Sequence, residues 1–204
     1  MLEAVNATLA AKGPMLNGGT AVDASLIAAP NSTKNSTGTR DLEMHQTKKG
    51  NECYFGMKCH IGVDADSGLV HAVVGTLANV NDVTQPHALV HGEEADVFAD
   101  VGYQGVENGD ATQDILTRWY VALCPGLRRL LDTTSPKGAI AEEMEQVKVQ
   151  IRAKVEHPFR VIKRQLGHVK VRHRGLARNT AQLHTLLALP NLWMARRQPM
   201  LAQG

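Results

Sequence analysis

Apolar and polar residues alternate along some stretches of the chain and recur every three to four positions along others, and these two periods predict its elements. The N-terminal AVNATLAAKG has helical character and is ended by Pro14 and Gly18-Gly19. Thr20–Ile27 (TAVDASLI) is β-branched and alternating, and predicts a short strand. Residues 30–51 are dense in Asn, Ser, Thr and Gly and predict a long polar loop. Tyr54–Asp64 and Leu69–Leu77, separated by the turn Asp66-Ser67-Gly68, predict a hairpin.

Beyond a turn at Asn79–Asp82, Thr84–His91 predicts a short helix with Asp82 as its cap. Asp96–Asp100 (DVFAD) predicts a short strand ending in an acid, Tyr103–Leu116 a helix, and Arg118–Leu123 a strand closed by Pro125-Gly126. Ala139–Gln165 is rich in helix formers and carries Pro158, which must kink or restart it. Leu176–Arg197 predicts a closing helix bent at Pro190. This order of elements fits a mixed α/β sheet with helices packed on it.

Composition narrows the classes. With 43% hydrophobic and 21% charged residues the chain has the balance of an ordinary globular protein. No apolar run reaches the ~18–20 residues needed to cross a bilayer, and the N-terminus lacks a signal-peptide pattern. Three cysteines, Cys53, Cys59 and Cys124, show no zinc-site spacing and read as reduced thiols of a cytoplasmic protein. The Asn-x-Ser/Thr triplets at Asn6, Asn31 and Asn35 are then without consequence.

Charge changes the picture. Between Lys148 and Arg178 lie ten Lys/Arg and one acid, Glu156, so this segment is +9 while the whole chain is only +2. A solvated surface is the bland explanation; a polyanion partner is the sharper one. Three acids invite a second question. Asp23 lies inside a predicted apolar strand, where a carboxylate is costly unless paired or metal-bound. Asp100 ends a strand, where turn-capping is the ordinary role. Glu156 has Arg152 four residues before it and Lys163 seven after. On a straight helix these three lie within about 40° of one another, although a surface Glu156–Arg152 pair would be equally served. Brought together, three such carboxylates suit two divalent cations, the arrangement used in phosphoryl transfer.

Four stretches carry a resemblance: VDASLIAAPNSTKN, HQTKKGNECYFGMKCHIGVDADSGLVHAVVGTLANVND, VFADVGYQG and IRAKVEHPFRVIKRQLGHVKVRHRGLARNTAQLHTLLALPNLWMARR. Together they resemble bacterial insertion-sequence transposases of the DDE superfamily, most closely the insertion-sequence-five group, over residues 20–197. The resemblance implies an RNase H-like mixed five-stranded sheet flanked by helices. It implies Asp23, Asp100 and Glu156 as catalytic ligands of two Mg2+ or Mn2+ ions. It also implies double-stranded DNA, both transposon ends and target, as substrate, a homodimer on that DNA, and no membrane. Arg152, Lys163, Arg164, Lys170, Arg172 and Arg174 become candidate phosphate contacts, with Lys48, Lys49 and Lys58 adding to the track. His157, Phe159 and Trp193 are expected to pack the helix on the sheet, and Tyr103 is open to either role.

The related proteins carry a tyrosine where this chain has Val149. They also carry a helical DNA-binding region before the first Asp, where only about twenty residues stand here, so the chain is expected to be a truncated form. The expected division is a remnant over 1–19, a catalytic domain over 20–175 and a C-terminal helix and tail over 176–204. Three functions compete at this point: an active transposase, an inactive DNA-binding remnant, and a plain RNase H-like nuclease.

Overall fold

In the computed structural model, residues 1–11, 18–36, 38–109, 112 and 117–196 are described. They form helix α1 (Leu2–Ala11), strands β1 (Gly19–Ala28), β2 (His45–Lys49), β3 (Glu52–Asp64), β4 (Val70–Leu77), β5 (Asp96–Ala99) and β6 (Arg118–Val121), and helices α2 (Pro125–Arg128), α3 (Pro136–Arg160) and α4 (Leu176–Ala195). A π-helical turn, Val161–Gln165, continues α3.

The six strands make one mixed sheet in the order β2-β3-β1-β5-β6, with β4 also paired to β3. β1 is antiparallel to β3 and parallel to β5, and β5 is parallel to β6. One edge of β3 carries β1; the other carries β2 near Gly56 and β4 from Met57 to Val63. This is the helix-flanked, RNase H-like α/β sheet expected from the sequence, with a sixth strand.

Both faces of β1 are covered, which explains its apolar character. On one side Ala21 and Ile27 join Met57, Cys59, Ile61 and Val63 of β3, Val155 and Phe159 of α3, and Leu183 and Leu187 of α4. On the other, Val22 joins Leu89, Val97, Ala99 and Tyr103. Each fully buried aliphatic side chain contributes about 1.5–3 kcal/mol, so these layers fix the sheet against α3 and α4. α4 lies so close to β4 that a Cβ on Gly75 would stand 2.0 Å from Thr180 Oγ1.

α3 begins where the sequence signals it. Ser135 accepts a hydrogen bond from the Gly138 N–H, and Pro136 occupies the first turn. Pro158 lies inside the helix without ending it. The backbone widens just afterwards into the π turn, where Leu166 N–H donates to Val161 O. α4 likewise runs through Pro190.

Several sequence expectations are corrected. The polar stretch 30–51 contains β2, an exposed edge strand. Thr84–His91 is not a helix: 3-10 turns occupy Asp82–Thr84 and Pro86–Ala88, and Asn81, not Asp82, caps the first. Tyr103–Leu116 gives no α-helix in its described part, only the 3-10 turns Val101–Tyr103 and Val106–Asn108; positions 110, 111 and 113–116 lie outside the described residues. His157 is exposed and Trp193 is 43% exposed, so of the three expected packing residues only Phe159 is buried.

Candidate active site

β1 and β5 run side by side from Gly19↔Asp96 to Ala21↔Phe98, and the same register carried two residues on sets Asp23 level with Asp100. Asp23 shares its face of β1 with Ala21 and Ile27, the face covered by α3. Its Oδ1 accepts from the Ala24 N–H at 2.7 Å. Burial pushes the Asp23 carboxyl up to about 6; Asp100 and Glu156 add to the rise, while the Ala24 N–H and Arg152 oppose it.

Asp100 follows β5 and caps the turn Val101–Tyr103, with Oδ1 accepting from the Gly102 N–H at 2.7 Å. The ordinary capping role is therefore real, but it occupies only one oxygen. The other, Oδ2, lies 3.7 Å from Arg152 Nη2, and the same nitrogen lies 3.9 Å from Glu156 Oε1. One guanidinium nitrogen thus stands between carboxylates from β5 and α3, beside the carboxylate of β1.

Residues for which the sequence suggests no packing role hold α3 and the turn after it in this position, Lys163 among them although it reads there as a phosphate contact. Glu145 is buried, accepts from the Leu123 N–H at 2.9 Å and pairs with Lys148, which also donates to Val121 O. Lys154 donates to Ala65 O and Asp66 O at the β3–β4 turn. Lys163 donates to Ser25 Oγ and Leu26 O of β1. Three of the ten cations in the basic segment therefore serve internal carbonyls. Arg164, Lys170, Arg172 and Arg174 keep solvent-accessible side chains, as do Lys48 and Lys49 on β2. Arg174 also donates to Thr39 O and Arg40 O. Lys58, expected on the DNA track, is instead paired with Asp82 at 2.8 Å and with Val80 O.

Asp82, read in the sequence only as a helix cap, lies beside these acids, and Tyr103, open there between packing and DNA, joins it. A Cβ on Gly102 would lie 2.9 Å from Asp100 Oδ1 and 4.0 Å from Asp82 Oδ2, so both carboxylates flank this glycine. The Tyr103 side chain is buried, and its hydroxyl has no hydrogen-bond partner among the described residues. Burial raises its pKa, and the charges of Asp23, Asp82 and Asp100 raise it further. Only the folding of the 82–84 turn against the 101–103 turn creates this group.

The donor set suits a hard divalent cation: the acids offer oxygen only, an unsatisfied hydroxyl lies within their field, and their mutual repulsion helps to raise one pKa. Among the described residues no three His, Cys, Asp or Glu side chains stand together as a group that could hold a metal ion, and Arg152 lies between Asp100 and Glu156. Among the same residues no helix is long and apolar enough to cross a membrane. Residues 15–192 match the family model described as a transposase DDE domain, nearly the whole chain, and the protein therefore belongs to the DDE transposases, whose chemistry is performed on DNA.

Proposed function

We propose that this protein is a DNA transposase of the insertion-sequence-five group that cleaves insertion-sequence ends and transfers the freed 3′-OH to target DNA. Asp23, Asp100 and Glu156 are assigned as the ligands of two Mg2+ or Mn2+ ions. When bound, those ions supply an activated water and neutralise the charge of an in-line displacement. The observation that carries the reading is the single Arg152 nitrogen held 3.7 Å from Asp100 and 3.9 Å from Glu156, beside the half-buried Asp23.

The remaining roles follow from position. Arg152, Arg164, Lys170, Arg172 and Arg174, with Lys48 and Lys49, hold phosphates of double-stranded DNA, each as a charge-assisted contact without base preference. Lys163 acts on the other side of the site: it fixes β1 just beyond Asp23. Residues 20–175 form the catalytic unit, flanked by 1–19 and 176–204, and two copies act together on paired ends in the cytoplasm.

The test is cleavage and joining of duplex DNA taken from the flanks of the coding region. The reading expects Mg2+-dependent cutting and end-joining, both lost in Asp100→Asn. Nicking without joining would assign a plain nuclease. DNA binding with no metal-dependent cutting would assign an inactive remnant.

A further inference from the structure

We infer that Arg152 is the resident counter-cation of the acidic cluster in the metal-free protein, and that metal loading displaces its guanidinium, a displacement that a DNA phosphate favours by receiving it. The inference rests on the reading of Asp23, Asp100 and Glu156 as metal ligands. It goes beyond a phosphate-contact role for Arg152, because it makes this residue a competitor of the metal.

The geometry is specific. Nη2 is shared between Asp100 Oδ2 at 3.7 Å and Glu156 Oε1 at 3.9 Å. Asp100 is held from its other oxygen by the Gly102 N–H, so its free oxygen is presented to the arginine and cannot turn away without breaking that bond. Glu156 is one helical turn along α3 from Arg152, a spacing that lets the two side chains meet, with the Glu156 side chain 67% exposed. A guanidinium cannot be deprotonated at any relevant pH, so it offsets one unit of the cluster's negative charge until displaced. Neither contact is at close hydrogen-bonding distance, and the side chains of Arg152 and Asp100 are 31% and 28% exposed. The hold is therefore weak enough to be exchanged.

Displacement gives Arg152 a second partner on the same face of α3. Once a phosphate oxygen takes the guanidinium, Asp100 and Glu156 are free for a divalent cation. DNA and metal then each raise the affinity for the other, by the same factor. In this way the cluster avoids bare like-charge repulsion before substrate arrives, and loads its metal more readily on DNA than off it.

The test is Mn2+ binding to the full chain, without DNA, measured by calorimetry and by the electron paramagnetic resonance of free Mn2+. Arg152→Gln is expected to bind Mn2+ roughly three- to tenfold more tightly than wild type, the scale of two partly exposed ion pairs. Arg152→Lys, which keeps the charge, is expected to stay near wild type. In the presence of EDTA Arg152→Gln should melt at a lower temperature than wild type, and saturating Mn2+ should raise its melting temperature by more. If wild type binds Mn2+ through Asp100, shown by loss in Asp100→Asn, and Arg152→Gln binds equally or more weakly, the competitor role is overturned while the metal site stands. If wild type and variant alike bind no Mn2+, both the competitor role and the metal site fall.

Discussion

Lys163 donates from Nζ to Ser25 Oγ at 2.6 Å and to Leu26 O at 2.9 Å, fastening the turn after α3 to β1 just beyond Asp23. Burial depresses the pKa of this lysine, with Lys49 adding to the depression and Cys59 and Asp23 opposing it. A side chain so placed positions the strand that carries the first acid. Lys163→Met takes the donor from a half-buried hydroxyl and carbonyl, which costs about 0.5–1.5 kcal/mol. Urea unfolding should show that loss, while the salt dependence of DNA binding stays unchanged. The opposite pattern, full stability with a shallower salt dependence, would return Lys163 to the phosphate track.

Asp23 gives a pH signature. Its folded-state pKa is raised from 3.8 to about 6, so the folded protein holds this proton more tightly than the unfolded chain. The stability it contributes is full below pH ~4 and is lost as pH rises through about 6. In EDTA, the stability difference between wild type and Asp23→Asn should therefore widen with pH across this window. The variant should be the more stable protein at pH 7, by about 1–3 kcal/mol. A difference that is flat with pH would remove the claim that Asp23 is ionised at a cost.

The exposed cations predict a salt effect. Replacing Arg164, Lys170 or Arg172 singly by alanine should flatten the plot of log binding constant against log salt by about 0.9 for each phosphate no longer neutralised. Fluorescence anisotropy with duplex DNA reads this directly. An unchanged slope for all three would move the DNA to another face.

Close packing predicts a paired result at two glycines. A Cβ at Gly75 meets the Thr180 side chain at 2.0 Å, whereas at Gly56 it meets Ile27 O at 2.1 Å. Each alanine substitution should cost about 1–3 kcal/mol or more through overpacking. Thr180→Ala should recover much of the stability that Gly75→Ala removes. Gly56→Ala has backbone for its neighbour and no comparable remedy.

The elements with a strong period were legible in the sequence. β1, the β3–β4 hairpin and α3 follow from alternation, turn residues and helix formers, because each buries a continuous face. β2 was not, since HQTKK is an edge strand with only Thr47 half-buried and therefore has no buried face to betray it. The segments around Pro86 and Gly105 carry apolar residues at helical spacing, yet form only single turns. The three acids are candidates from their positions alone, Asp23 by its cost inside a strand and Glu156 by its spacing to Arg152 and Lys163, and the resemblance gives them a common role as metal ligands. The Arg152 bridge to Asp100, the place of Asp82 and the unpartnered Tyr103 hydroxyl were beyond reach, because each depends on two segments meeting in space.

The central claim is that carboxylates from β1, β5 and α3 share a divalent cation. Anomalous diffraction at the manganese edge, from crystals of the full chain with DNA and Mn2+, tests it most directly. The account predicts manganese peaks between Asp23, Asp100 and Glu156, with the Arg152 guanidinium moved onto a phosphate. Manganese bound elsewhere, with Arg152 still bridging Asp100 and Glu156, would contradict it.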